Sequence, residues 1–220
     1  MGKSCDFVCN VYGWPNPPLT EITRETPTCR KCGSSIRTRA VALVLSRELF
    51  GIDIPLIHFP TLKSIRGLGI SDSDTYSGCL ERSFTYINTH YHREPRFDLL
   101  QPDGREFERY DFVICSEVME HIPSAPEAAF KTLARLLKPE GLLILTIPYS
   151  LEAATTEHFR GLRDFGLAEV AGRSVLIAAL EGGGYEVYDS LTFHAGDGSV
   201  RFRLLPAGKT FRWGTPRLPN

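Results

Sequence analysis

The order of strand and helix signals predicts an α/β fold with a doubly wound, mostly parallel sheet and an antiparallel C-terminal hairpin. Apolar, β-branched runs alternate with amphipathic segments through the middle of the chain, as repeated βαβ units require. The run LLILTIP at 142–148 is continuously apolar, which is typical of a strand covered on both faces. Beyond it, SVLIAALEGGGYEVYDSLTFHAG and VRFRLLP indicate strands joined by glycine-rich turns.

Composition narrows the class of partner. A chain of 220 residues can bury one sizeable core and carry a small appended module. Its 25 basic and 26 acidic residues give a net charge of -1, so no strong field favours nucleic acid or an anionic membrane. No apolar run approaches the roughly 18 residues that span a bilayer, and the first residues lack the apolar core of a secretory signal. We therefore expect a cytoplasmic protein that acts on a small molecule, with an oligomeric state that the sequence leaves open.

Four of the six cysteines form two close pairs near the start of the chain: Cys5 with Cys9, and Cys29 with Cys32. Two such pairs separated by about 20 residues suit a tetrahedral zinc site with four thiolate ligands. Two disulfides or four unrelated thiols are the alternatives, which a reducing compartment and the spacing disfavour, respectively. The sequence thus predicts a structural zinc module at 1–34, followed by one α/β domain at 35–220.

The elements of that domain follow in order. A helix is predicted from a cap at Ser34 or Ser35 to a stop at Gly51. It begins with Arg37 and Arg39, which we expect to pair with acids of the main domain. Four segments are typical of strands: 54–59, 65–72, 84–91 and 111–118. Two more are typical of helices: 73–84 and 124–141, the second with Ser124 as its cap.

The predicted strand at 111–118 ends in polar, ionisable residues. DFVICSEVMEHI passes from an apolar run directly to Ser116 and Glu117, and His121 follows. Ligands bind at the carboxyl ends of parallel strands in open α/β sheets, so this ending predicts a site.

Several segments of the sequence carry a family resemblance. The segment YDFVICSEVMEHIPSAPEAAFKTLARLLKPEGLLILTIPY, at 110–149, resembles the fourth strand, next helix and fifth strand of class I S-adenosylmethionine-dependent methyltransferases. More loosely, CRKCGSSIRTRA, YINTHYHREP, TTEHF and LTFHAGDG resemble a bacterial subgroup with an N-terminal cysteine module. The resemblance implies a Rossmann-like methyltransferase fold, S-adenosylmethionine as cofactor, and Ser116, Glu117 and His121 on the floor of the cleft.

The same resemblance exposes a departure. These enzymes carry an acidic residue and a GxGxG-type loop after their first strand, whereas HFPTLKS after the strand at 54–59 has no glycine. A parallel crossover also needs a dozen or more residues, so either the first helix is reduced to a turn or the first two strands are misassigned. Asp72 would end strand two and hold the ribose hydroxyls, and Asp98 would lie near the adenine. S-adenosylmethionine binding is expected to be weak or conditional on a second substrate.

Histidines supply the candidate bases. Histidine titrates near neutral pH and suits deprotonation of an acceptor hydroxyl or amine. His121, His158 and His194 are the candidates, and His158 and His194 are expected in polar turns that follow strands. A second metal site, formed by histidines together with Glu117 and Asp98, is a further alternative.

The sequence therefore predicts an enzyme that transfers a methyl group to an oxygen or nitrogen of a small molecule or sugar. The alternative is a methyltransferase-fold protein that has lost its cofactor and serves as a binding or assembly partner, or performs other, metal-assisted chemistry.

Overall fold

A computed structural model describes residues 7–17, 27–122 and 126–146, together with the backbone of four later strands. Within these residues the main sheet has four parallel strands: β3 (Leu62–Ile70), β4 (Phe84–Thr89), β5 (Tyr110–Ser116) and β6 (Leu137–Thr146). The strand order is β4-β3-β5-β6. Connecting β3 to β4 on one side and then returning to β5 on the other is the doubly wound pattern, so the predicted fold class is confirmed.

Helices cover both faces of this sheet. The three α-helices of the described residues are α1 (Ile36–Phe50), α2 (Asp74–Ser83) and α3 (Pro126–Leu136). Successive side chains of β5 point to opposite faces, so Phe112 and Ile114 lie in the core with α1 and α2, whereas Val113 and Cys115 lie in the core with α3. This double burial explains why β5 has no polar alternation.

The N-terminal part is a small antiparallel pair, β1 (Phe7–Val8) and β2 (Pro15–Asn16), which leads into α1. Ser35, rather than Ser34, caps α1, because its hydroxyl accepts a hydrogen bond from the Thr38 N–H at 3.3 Å. The helix stops at Gly51, whose φ of 70° suits a residue without a Cβ.

The prediction of a strand at 54–59 is wrong. This segment contains a 3-10 turn at Leu56–His58. Its backbone is bound to the N-terminal module instead of to the sheet: the Leu56 N–H donates to the Asn10 carbonyl at 2.8 Å, and the Ile57 N–H donates to the Val11 carbonyl at 2.9 Å. Pro55 and Pro60 flank the turn and would each remove a donor from a sheet.

The first parallel strand is therefore β3, which overlaps the predicted strand at 65–72 but starts at Leu62 and ends at Ile70. The expectation that Asp72 ends strand two is wrong, because Asp72 follows the first strand of the sheet. The connection between the first two parallel strands is long enough for a crossover, because α2 connects β3 to β4. The predicted helix at 124–141 ends earlier, at Leu136, because β6 begins at Leu137 and pairs there with Tyr110.

The later strands form two antiparallel pairs, as the tail predicted: β7 (Leu176–Ala179) with β8 (Tyr185–Tyr188), and β9 (Ser190–Ala195) with β10 (Gly198–Arg203). Among the described residues, no helix is both long and apolar enough to cross a membrane.

Candidate functional site

The carboxyl ends of the parallel strands meet at one edge of the sheet. Ile70, the last residue of β3, lies in register with Thr89 of β4 and with Cys115 of β5. Ser116 lies in register with Thr146, the last residue of β6. Polar side chains therefore end three of the four strands, β4, β5 and β6, at the edge where an open α/β sheet binds its ligand.

Two residues at this edge have an unusual backbone. Ser71 follows β3 with a φ of 59°, and Glu117 follows β5 with a φ of 57°. Positive φ is sterically costly for residues with a Cβ, about 1–3 kcal/mol each, and such residues are enriched at ligand sites. Backbone hydrogen bonds hold both: the Ser71 N–H donates to the Thr89 carbonyl at 2.7 Å, and the Glu117 N–H donates to the Thr146 carbonyl at 2.9 Å.

A chain of hydrogen bonds runs across the edge from α1 to Glu117. Arg37 Nη1 donates to Ser116 Oγ at 2.6 Å, and Ser116 Oγ lies 2.7 Å from Thr146 Oγ1. The Thr146 hydroxyl donates to Glu117 Oε1 at 2.9 Å. Since the Thr146 proton goes to Glu117, the Ser116 hydroxyl is the donor to Thr146, and all three bonds point from the guanidinium towards the carboxylate.

Asp72 forms a second, buried cluster at the same edge. Its carboxylate accepts hydrogen bonds from the hydroxyls of Tyr76, at 2.8 Å, and Tyr86. Its main chain exchanges two hydrogen bonds of 2.9 Å with the Asn88 amide. Burial raises the pKa of Asp72 to about 7, although the two tyrosine hydrogen bonds and the charge of Arg37 act in the opposite direction.

Glycines in β3 make room for this cluster. A Cβ on Gly69 would lie 2.0 Å from the Tyr86 hydroxyl oxygen and 2.5 Å from Asp72 Oδ2. A Cβ on Gly67 would lie 2.2 Å from the Phe112 ring. The glycines of RGLGISD thus admit neighbouring side chains, and the loop from Ser71 to Ser73 has no glycine of its own.

The structure brings together three of the predicted cofactor residues: Asp72, Ser116 and Glu117. Asp98 lies in the loop after β4, where its carboxylate accepts from the Leu100 N–H at 2.8 Å in an ordinary aspartate turn. The roles assigned to these residues stay predictions.

The candidate bases have different positions. His121 ends the short 3-10 turn Met119–His121, and its side chain is 59% exposed, with Nε2 3.8 Å from Glu120 Oε1. His194 lies within β9, in register with Ser199, so its expected place in a turn is wrong. His158 falls outside the described residues.

Sequence reasoning missed the groups that organise this edge: Arg37, Thr146, Tyr76 and Tyr86. Tyr76 lies in the first turn of α2, four positions after Asp72. This spacing predicts a contact between the two side chains only if Asp72 follows β3. Arg37 was expected to pair with main-domain acids; its guanidinium donates to the Ser116 hydroxyl, and its charge also acts on the carboxyl of Asp72.

The second candidate site is the cysteine cluster. The sulfur atoms of Cys9, Cys29 and Cys32 all lie within 4.8 Å of one another. The Cys9 and Cys32 sulfurs are 3.7 Å apart, which matches the separation of about 3.8 Å between two thiolates on a tetrahedral zinc with Zn–S bonds near 2.3 Å. These cysteines form no disulfide. Cys5, the predicted fourth ligand, lies outside the described residues.

Two similar turns present these thiols. The Gly13 N–H donates to the Cys9 carbonyl at 2.7 Å, and the Gly33 N–H donates to the Cys29 carbonyl at 2.9 Å. Both glycines have positive φ, 66° and 70°. The first turn curls its backbone around a thiol, as the Tyr12 N–H contact of 3.5 Å with Cys9 Sγ shows.

A buried arginine lies beside the cluster. The Arg39 side chain is fully buried, and its Nη1 donates to the Thr28 hydroxyl at 2.7 Å and to the Ser34 carbonyl at 2.8 Å. Burial lowers the pKa of Arg39, and negative charge on the three cysteines raises it. Nε and Nη2 have no hydrogen-bond partner in the described structure. A buried cation needs a nearby anion, and a thiolate-bound metal carries net negative charge, so the donor set and its surroundings fit zinc.

Comparison with known proteins gives a family match for this chain. A family model described as a methyltransferase domain matches residues 41–190, about two thirds of the chain. The match includes β3 to β6 and leaves the cysteine cluster outside. No curated protein matches the chain.

Two solved structures show limited similarity. The citrinin polyketide synthase CMeT domain is 16% identical with a TM-score of 0.32, over 37% of this chain and 28% of that chain. The DszA carbon methyltransferase is 20% identical with a TM-score of 0.33, over 43% of this chain and 30% of that chain. The chain thus spans less than a third of either structure.

Proposed function

We propose that this chain, which belongs to the family of methyltransferase domains, transfers the methyl group of S-adenosylmethionine to an oxygen or nitrogen of a small molecule or sugar. The observation that carries the proposal is Glu117: its φ of 57° is strained, and Thr146 holds both its N–H and its carboxylate at the carboxyl edge of the sheet. A strained residue that is held twice at this edge is expected of a ligand site rather than of a simple turn.

Bound S-adenosylmethionine would supply an electrophilic methyl group on a sulfonium centre. The chain contributes the surroundings: the carboxylate of Glu117 favours a cation at the edge, and Asp72, Ser116 and Asp98 offer polar groups to the rest of the cofactor. Catalysis would come mainly from holding the acceptor against the methyl group. His121, four positions after Glu117 on an exposed turn, is the candidate base among the described side chains, and His158 and His194 stay candidates beside it.

Cofactor affinity is expected to be weak in the isolated chain. The loop after β3 contains no glycine, and two of its N–H groups are already used: Ser71 donates to the Thr89 carbonyl, and Asp72 donates to the Asn88 amide oxygen. Each missing hydrogen bond to a charged ligand group costs roughly 1.5–3 kcal/mol. A second substrate would then contribute to retention of the cofactor.

The same loop favours a second candidate function. Both Asp72 oxygens accept hydrogen bonds from tyrosines, so the strand end is stable without a ligand. A methyltransferase-fold protein that has lost its cofactor would serve as a binding or assembly partner, or use the cleft for metal-assisted chemistry.

The cysteine module would hold one structural zinc through Cys5, Cys9, Cys29 and Cys32, as in the bacterial subgroup that the sequence resembles. The near-zero net charge favours a small-molecule acceptor over nucleic acid or a membrane, and free thiols favour the reducing cytoplasm.

Calorimetric titration of the full chain with S-adenosylmethionine and S-adenosylhomocysteine tests the proposal. We expect dissociation constants between about 1 μM and 1 mM. Glu117→Gln should weaken binding about tenfold, whereas Glu108→Gln should not. Glu108 is the matched control, because it also has positive φ, 56°, but is exposed before the amino end of β5. Absence of binding at millimolar ligand, with candidate acceptors present, would favour the second candidate; submicromolar binding would contradict our interpretation of the loop.

A further inference from the structure

The cysteine cluster and the strand-end site are joined by the first turn of α1. Arg37 follows Cys32 by five positions. Ser34 lies between them and contacts both cysteine turns. Its hydroxyl lies 3.3 Å from Cys9 Sγ, and its carbonyl accepts from the N–H groups of Thr28 and Cys29, each at 3.1 Å. The residue that precedes the helix cap is therefore part of the cysteine cluster.

Arg39, in the first turn of α1, also connects the helix to the cysteine cluster. Its backbone N–H donates to the Ser35 carbonyl at 3.1 Å, while its side chain donates to the Ser34 carbonyl and the Thr28 hydroxyl. Its guanidinium also lies 4.5 Å from the centre of the Phe7 ring in the module. The position of the first helical turn thus depends on the fold of the cysteine cluster.

Arg37 extends from this turn to the other site. It is half-buried, donates to Ser116 Oγ at 2.6 Å, and lies close enough to Asp72 for its charge to affect that carboxyl. From Ser116 the hydrogen bonds continue through Thr146 to the carboxylate of Glu117. A displacement of the first turn of α1 would break the hydrogen bond from Arg37 to Ser116, which is the first of this series.

We infer that Arg37 is a positioning residue for the strand-end site and that metal bound by the cysteine cluster fixes Arg37, so that metal occupancy and ligand binding are coupled. The zinc and S-adenosylhomocysteine used as probes rest on the proposed function. The coupling itself rests on the contacts from Cys9 through Ser34 and Arg37 to Glu117. Because coupling between two sites is reciprocal, ligand should retain metal as much as metal retains ligand.

The first test needs no ligand. Amide hydrogen exchange of Glu117 is measured in the metal-loaded full chain for wild type, Arg37→Gln and Arg47→Gln. Arg47 is the matched control, because it lies on the same helix but pairs with Asp53 at the surface. We expect Arg37→Gln to speed exchange at Glu117 about tenfold while Ile114, earlier in β5, keeps its protection. Arg37→Lys should restore part of the protection. Wild-type exchange at Glu117 in Arg37→Gln would overturn the inference.

The second test measures the coupling without preparing a metal-free protein. Zinc release to a colorimetric chelator is timed with and without saturating S-adenosylhomocysteine. We expect the ligand to slow release about fivefold or more in wild type and Arg47→Gln, but not in Arg37→Gln. Equal slowing in all three proteins would overturn the inference.

Failure of the proposed function gives different results. A wild-type chain that does not bind S-adenosylhomocysteine contradicts the cofactor assignment, and the Glu117 exchange measurement then decides the role of Arg37. A chain purified without metal contradicts the zinc assignment and, with it, the coupling.

Discussion

Thr146 holds Glu117 by two hydrogen bonds: its carbonyl accepts from the Glu117 N–H and its hydroxyl donates to Glu117 Oε1, each at 2.9 Å. Side chain and backbone of one strained residue are thus fixed by the last residue of the neighbouring strand. This arrangement keeps the carboxylate at the edge of the sheet at the cost of a positive φ.

Glycine substitutions distinguish the steric cost of positive φ at Glu117 from the stabilising contribution of its carboxylate. Glu108→Gly should raise the free energy of unfolding by up to about 1 kcal/mol, because glycine adopts positive φ without a steric cost. Glu117→Gly gains the same relief but loses the hydrogen bond to Thr146, so its net change should be near zero or destabilising. Chemical denaturation of both variants measures the difference, and equal stabilisation would mean that the Glu117 carboxylate contributes nothing to the fold.

Gly69 has a packing role that alanine should disrupt. Its substitution places a Cβ 2.0 Å from the Tyr86 hydroxyl oxygen, and the overpacking should cost about 1–3 kcal/mol or more. Gly78→Ala is the control: the site is exposed on α2 with nothing within 4 Å, so alanine should stabilise the helix by about 1 kcal/mol. Thermal melts that show Gly69→Ala to be as stable as Gly78→Ala would contradict the described approach of Tyr86.

Asp72 should make stability depend on pH. Its pKa is about 7 in the folded chain, against an ordinary value of 3.8, because burial disfavours the carboxylate. Between these values the unfolded chain loses the proton and the folded chain keeps it, so stability falls as pH rises, by up to roughly 4 kcal/mol, and levels off above pH 7. Asp72→Asn should lack this loss, so its stability relative to wild type should increase between about pH 4 and pH 7. A stability difference that is constant across this window would refute the shift.

The cysteine cluster should carry about one zinc per chain. Cys32→Ser should lower the zinc content and the melting temperature, since a metal would join the turns around Cys9 and Cys29 more strongly than the hydrogen bonds of the Asn16 side chain do. Cys79→Ser is the control for zinc content, because Cys79 is a buried thiol on α2 that is not one of the three clustered cysteines. Elemental analysis and melts decide this, and metal-free protein with wild-type stability would exclude a structural zinc.

Local patterns in the sequence were enough to predict the fold class, the strand β5 and its polar end at Ser116 and Glu117. Each depends on composition within a few residues. The segment at 54–59 was misassigned because its apolar residues cover the N-terminal module, a contact between distant parts of the chain. That error made β3 the second strand in the predicted order, so Asp72 was assigned to the end of strand two instead of the end of the first strand. The roles of Arg37 and Thr146 depend on strand register and helix placement, which no local pattern contains.

The most direct test of the central claim, cofactor binding at the carboxyl edge of the sheet, is amide hydrogen exchange of the full chain with and without saturating S-adenosylhomocysteine. We predict that exchange slows at Ser71 to Ser73, at Thr89 and His90, and at Ser116 and Glu117. The amino ends of the same strands, including Leu62 and Tyr110, should be unaffected. Ligand protection confined to the cysteine cluster, or protection at no segment while the ligand is saturating, would contradict the account.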